Sequence, residues 1–354
     1  MDAQRFIAEF GHIANAPGGV ARLRELVLQL AISGRLSERE INDVPASLLI
    51  RENLEVQLDL IRCKKLKRQH APRPVAQTPW FLPEGWVWTR LGLVTNYGDS
   101  LKVEFSDVTE DTWVLELEDI EKGTSRLLTK VLARERRFKS MKNGFPAGAV
   151  LYGKLRPYLD KVILADEAGV CTTEINPISF FKGINARYLR WYLKSPYFIA
   201  YASGSTYGMN LPRMSTDSAR EALFPFPPQN EQSRIVAKVD ELMALCDKLE
   251  AQQKSRRQLQ TALRESTLQA VAAATSPDEL RAAWMRLSEN FPCLFAAPND
   301  LDDLEQNIKK LALMGLITSA APGEAVSEDL VSRVESTMPG DSLAVNWKIP
   351  DHWL

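Results

Sequence analysis

The chain has 354 residues, 45% of them hydrophobic and 25% charged, with a formal net charge of −1 at pH 7. That length accommodates two or three domains with their own cores, the near-neutral balance argues against a histone-like blanket binder, and no run approaches the ~18 apolar residues of a membrane span. Met1-Asp2-Ala3-Gln4-Arg5 lacks the basic-then-apolar pattern of a signal peptide, so a cytoplasmic protein is expected.

Residues 1–70 read as a helical region. The amphipathic run Arg22–Ile32 is stopped by Gly34, and a second helix over about 45–69 turns basic at Arg62-Cys63-Lys64-Lys65-Leu66-Lys67-Arg68, where cations suit a helix C-terminus. Prolines at 72, 74 and 79 make 71–81 an extended linker. Residues 82–226 form an α+β domain. Trp86, Trp88 and Leu91 suggest a strand or an anchoring turn, strands are expected over Thr112–Leu117, Ala149–Tyr152, Lys161–Ala165 and Ile178–Phe181, and helices over Ala186–Lys194 and Pro196–Ser203.

The cluster Phe224-Pro225-Phe226-Pro227-Pro228 closes that domain, and 227–274 then runs without further proline or glycine, the mark of one long helix. Ile235, Val239, Leu242, Cys246 and Leu249 recur at steps of four and three, a heptad seam that resumes at Leu259 and Leu263. A rod with one apolar stripe needs a partner, so this seam is expected to pair with another helix, a second copy of the chain included.

Beyond it, 275–354 repeats the beginning of the chain. A shift of 281 places Phe10 on Phe291, Val20 on Leu301, Leu23 on Leu304, Val27 on Ile308 and Gly34 on Gly315. A shift of 267 sets Leu82-Pro83-Glu84-Gly85-Trp86 over Ile349-Pro350-Asp351-His352-Trp353, so the chain ends where a second middle domain would start.

Catalytic and cofactor signatures are missing. There is no phosphate-binding or dinucleotide glycine loop, no H-E-x-x-H and no G-x-S-x-G, and four scattered cysteines with three histidines suggest neither a metal site nor a disulfide framework. No cofactor is expected. Nucleic-acid chemistry is better represented. The stretch Leu151–Lys161 carries Lys154, Arg156 and Lys161 with Tyr158 among them, and Arg136, Arg137 and Lys139 belong to a basic run before it. A guanidinium can grip guanine O6 and N7, lysine makes point contacts to phosphate or guanine, and tyrosine hydroxyls bond to phosphate. The loop 203–213 adds Tyr207, Asn210 and Arg213, with Thr172 and Thr173 as further donors. Each stretch also fits an ordinary solvated turn or linker.

Together these residues resemble the DNA-specificity subunit of type I restriction-modification systems. The likeness rests on the Leu82-Pro83-Glu84-Gly85-Trp86 opening, the Tyr152-Gly153-Lys154-Leu155-Arg156-Pro157-Tyr158 loop, the Phe226-Pro227-Pro228-Gln229-Asn230-Glu231-Gln232 helix entry and the long helix after it. It implies a non-catalytic subunit that reads double-stranded DNA, with methyltransferase subunits and a motor-nuclease subunit as partners. The family carries two recognition domains and this chain carries one, so two copies are expected to restore a split site, with Ile235, Val239, Leu242, Cys246, Leu249 and Leu263 at the contact. The alternative is a coiled-coil adaptor that joins proteins. An enzyme with an unrecognised site is a third option.

Overall fold

The computed structural model describes residues 10–313 except Asn15, Lys65, 67–69, Thr275 and 296–299. The expected match of 82–86 with 349–353 and of Gly34 with Gly315 therefore lies outside the described residues. Helices are α1 (Gly19–Ile32), α2 (Ala46–Arg62), α3 (Leu91–Val94), α4 (Ala186–Leu193), α5 (Pro196–Gly204), α6 (Thr216–Glu221), α7 (Gln229–Ala272), α8 (Pro277–Glu289), α9 (Phe291–Leu294) and α10 (Asp300–Leu313). The α+β class is realised. The chain divides into two compact units, Met1–Leu249 and Glu250–Leu354.

In the first unit, α1 and α2 share one apolar core with the middle segment and the head of α7. Leu23, Val27 and Ile32 lie in the same buried cluster as Tyr188, Tyr192, Phe198, Phe224, Ile235, Val239, Leu242 and Cys246, and Leu249 packs against it. The seam expected to pair with another helix, a second copy included, instead packs over its first half on the chain's own core. Polar contacts fix the approach. Arg24 pairs with Asp247 at 2.6 Å, Ser37 donates to Glu231 at 2.9 Å, and Arg234 holds the buried Asp43 carboxylate. Leu259 and Leu263, in the second unit, remain exposed.

Gly34 ends α1 with φ +70°, and a Cβ there would sit 2.3 Å from Pro83 Cγ, so the turn needs glycine on both counts. Asn185 caps α4 by accepting from Arg187 N and Tyr188 N, while its own N–H donates to Gln232 Oε1 of α7 at 2.8 Å. Ser195, with Pro196 after it, caps α5.

The middle segment opens and closes on one antiparallel pair. Strand β1 (Val87–Arg90) runs against β11 (Leu223–Phe226), Val87 opposite Phe226 and Trp88 opposite Pro225. The proline cluster expected only to stop the domain thus contributes a strand. Proline is tolerated because the sheet has two strands and an open edge.

Between them lie two larger sheets. One orders β2 (Leu101–Val103), β4 (Lys142–Phe145), β7 (Gly169–Cys171) and β3 (Trp113–Leu115), with only the β3–β7 pair parallel. The other is antiparallel, β6 (Val162–Leu164), β5 (Val150–Gly153), β8 (Ile175–Ile178). The second sheet separates two cores. Val150, Tyr152 and Val162 face the core shared with α1, whereas Leu151 and Ile163 face another built on Trp113, Leu115 and Phe145. Burial on both faces explains why β5 reads as a continuous apolar run instead of an alternating one.

The second unit buries Leu268, Val271, Ala283 and Leu287 together, and Arg264 meets Asp300 at 2.6 Å. Its α10 has the bounds of α1 shifted by 281. The same shift carries the helical residues 10–13 onto α9.

Candidate nucleic-acid interface

Strand β5 leaves its sheet at Gly153, where a Cβ would come within 3.1 Å of Leu117 Cδ2 and 3.3 Å of Lys161. Three segments then align side by side. Lys154 N donates to Glu174 O (3.0 Å), Met214 N to Lys154 O (3.1 Å) and Arg156 N to Pro212 O (2.7 Å), with Leu155 and Arg213 forming a bridge. Arg213 also grips the Glu174 carboxylate through Nε at 2.9 and 3.1 Å. Three loops singled out separately, 151–161, 171–174 and 203–213, are thereby one surface.

A hairpin makes its rim: β9 (Thr206–Tyr207) pairs with β10 (Arg213–Met214), Arg213 opposite Tyr207. Gly208 at φ +89° permits the turn. Met209 at its tip is 99% exposed, and Tyr207, Asn210 and Leu211 are exposed with it. On the neighbouring loop Arg156 and Tyr158 face solvent, as does Thr173, while Lys154 and Thr172 are half-buried. Arg156 sits at φ 51°, a left-handed conformation that turns its side chain out of the strand direction.

Other predicted cations are committed inside the protein. Lys161 Nζ donates to Leu117 O at 2.7 Å, and burial lowers its pKa. Arg136 clasps Asp119 and also reaches Glu118 at 3.4 Å and Val114 O at 3.2 Å; the hydrogen bond to Asp119 raises its pKa. Within the same basic run Lys130 pairs with Asp166 and Glu167, Arg134 with Asp111, and Lys142 with Glu116. Much of the basic run is thus engaged in ion pairs, half-buried at Arg136, buried at Lys142 and at the surface for Lys130 and Arg134. Arg137, 6.0 Å over the Phe105 ring, and Lys139 are exposed as well. Arg213 likewise supports the surface through Glu174, and that hydrogen bond raises its pKa. Glu174 could be found from sequence only as a neighbour of Thr173, since its partner lies 39 residues away.

Among the described residues no group of three or more His, Cys, Asp or Glu could hold a metal ion, and no helix is long and apolar enough to cross a membrane.

No protein-family model matches the chain. Curated relatives do. The type I restriction enzyme EcoEI specificity subunit of Escherichia coli is 30% identical over 332 residues, covering 90% of this chain and 55% of that protein. The chain is homologous to type I restriction enzyme specificity subunits. The EcoAI specificity subunit of the same organism is 29% identical over 89% of this chain and 55% of its own length. For the EcoDI specificity subunit the values are 28%, 83% and 60%. The chain thus spans little more than half the length of the specificity subunits it matches. Among solved structures, the HsdS subunit from Thermoanaerobacter tengcongensis aligns with 54% of this chain and 50% of its own at 22% identity and a TM-score of 0.45.

Proposed function

We propose that the chain is the DNA-recognition subunit of a type I restriction-modification assembly and reads one half of a bipartite duplex site. It would be non-catalytic, scaffolding methyltransferase and motor-nuclease subunits through its helices. The observation that carries this reading is the single surface made by the 151–161, 171–174 and 203–213 loops, tied backbone to backbone, which leaves Arg156, Tyr158, Thr173, Tyr207 and Asn210 outward. That set combines a bidentate donor, an amide and hydroxyls, the side chains suited to base edges and phosphates. Lys154, Arg137 and Lys139 would add phosphate contacts. Lys161, Arg136, Thr172 and Arg213 would shape the surface from beneath.

The homodimer belongs to the same reading, with its contact moved. In the first unit Val20 is 7% exposed and Val27 fully buried, whereas their counterparts Leu301 and Ile308 are 45% and 38% exposed. Leu259, Leu263, Trp284 and Met285 are exposed in that second unit too. A second copy, or a partner subunit's helix, would cover this surface, while Ile235, Val239, Leu242 and Cys246 stay in the chain's own core.

Selection from a randomised duplex pool, followed by salt titration of the selected DNA, tests the proposal. A reader of DNA enriches one sequence and loses affinity steeply with salt by counterion release. No enrichment, together with salt-independent binding, removes it and leaves a protein-binding adaptor.

A further inference from the structure

Four non-glycine residues among those described have positive φ, and three of them meet in one place: Ser125 (58°), Arg156 (51°) and Asp160 (49°). Left-handed backbone is unfavourable for a residue with a Cβ, so something must hold it there. Arg156 and Asp160 bracket the single turn Pro157–Leu159 that presents Tyr158.

The turn is gripped from below. Lys194, at the C-cap of α4, donates from Nζ to Asp160 Oδ2 at 2.5 Å, Ser125 Oγ at 2.7 Å and Gly123 O at 2.8 Å. Ser125 Oγ donates in turn to Asp160 O at 2.6 Å and accepts from Val162 N at 3.0 Å, while Gly123 N donates to Leu159 O at 2.9 Å. All three ammonium protons of Lys194 therefore have acceptors. Lys194 and Ser125 are buried, and Asp160 Oδ1 is buried without a hydrogen-bond partner. Burial pushes the Asp160 carboxyl up to about 6 and lowers the Lys194 ammonium, the signature of a pair taken out of water. Arg190, one helical turn earlier, donates to Val162 O at 3.2 Å and closes the far side.

Such a cluster is an expensive way to gain stability, because well-packed apolar side chains of similar volume do as well without the cost of burying charge. Its geometric product is a fixed backbone at the two ends of the 156–160 turn. We infer that Ser125, Asp160 and Lys194 are positioning residues that set the Arg156–Tyr158 turn for discrimination between DNA sequences. The inference rests on the DNA-reading proposal. Phosphate contacts tolerate a displaced turn, whereas contacts to base edges do not, so loss of the clasp costs preference before it costs binding.

The test uses the full chain and a duplex that it selects from a randomised pool, with a scrambled duplex for comparison. Lys194→Met removes the hub. Ser125→Gly removes the hydroxyl but permits the left-handed backbone, and carries the test if the lysine variant does not fold. Expected is a fall of about tenfold in the selected-to-scrambled affinity ratio, with scrambled affinity and its salt slope unchanged. Leu242→Ala, a core change on α7 that leaves the clasp's hydrogen-bonding groups in place, serves as the stability control. The inference is overturned if folded clasp variants keep the wild-type ratio, or if Leu242→Ala lowers it equally. Absence of any preference in the wild-type chain would remove the DNA-reading proposal and the clasp with it.

Discussion

Arg213 and Glu174 are joined by one nitrogen reaching both carboxylate oxygens, and this contact lies beneath an exposed rim. The two residues come from different loops, so the pair acts as a tie between them. Arg213→Ala should therefore weaken binding to the selected duplex more than to a scrambled one, relaxing preference at several positions together, with little loss of stability because both side chains are partly solvated. A change confined to one base position would instead make Arg213 a reader.

Arg156 has the opposite character. Its side chain is exposed and its N–H is the part engaged, with Pro212 O. Arg156→Ala should relax preference at one or two positions by about 1–3 kcal/mol, read as altered enrichment in a randomised duplex pool. A uniform loss across all sequences would mean that it touches only phosphate.

Within the basic run, two neighbours should respond differently. Arg136→Ala leaves the buried Asp119 carboxylate without its main partner and should lower unfolding free energy by about 2–3 kcal/mol, short of the fully buried range because the guanidinium is partly solvated. Arg137→Ala should scarcely change stability but should reduce the salt slope of DNA binding by about one. Urea unfolding and a salt titration separate the two.

These contrasts mark what was readable in the sequence. Turn and helix signals, the long helix and the three polar loops are local, and each appears near its expected place. Long-range pairing was not readable. Nothing in Lys161 or Arg136 reveals that Leu117 O and Asp119 await them, and the strand Leu223–Phe226 was masked by its proline. The seam at Ile235–Cys246 has a dimer's spacing, yet a helix packed on its own core shows the same period, because both need one apolar face.

Leu242 and Leu263 both fit that apolar pattern, and they should part company under substitution. Leu242→Ala should cost about 2–5 kcal/mol, with the residual cavity deciding where in that range. Leu263→Ala should leave unfolding nearly unchanged and weaken self-association in sedimentation experiments at several concentrations.

Asp43 supplies a pH dependence with a defined sign. The Arg234 hydrogen bond holds its carboxyl below the ordinary value of 3.8, so its contribution is fully present above that value and disappears as pH falls through the depressed one. The stability difference between wild type and Asp43→Asn should be constant from neutral pH down to about 5 and shrink below 4. A gap that widened on acidification would contradict the assignment.

The pairing of Val87 with Phe226 brings the two ends of a stretch of about 140 residues side by side. A segment whose ends meet can be replaced without moving what lies outside it, as a drawer is changed without rebuilding the cabinet. The frame nevertheless makes demands: any substitute must present the faces of Tyr188, Tyr192 and Phe198 to α1 and to the head of the long helix. The polar loops carry no such obligation. Under the DNA-reading proposal, new sequence preferences could accordingly arise by changing exposed loop residues such as Arg156, Tyr158, Thr173 and 207–211 while the same helices continue to hold the same place.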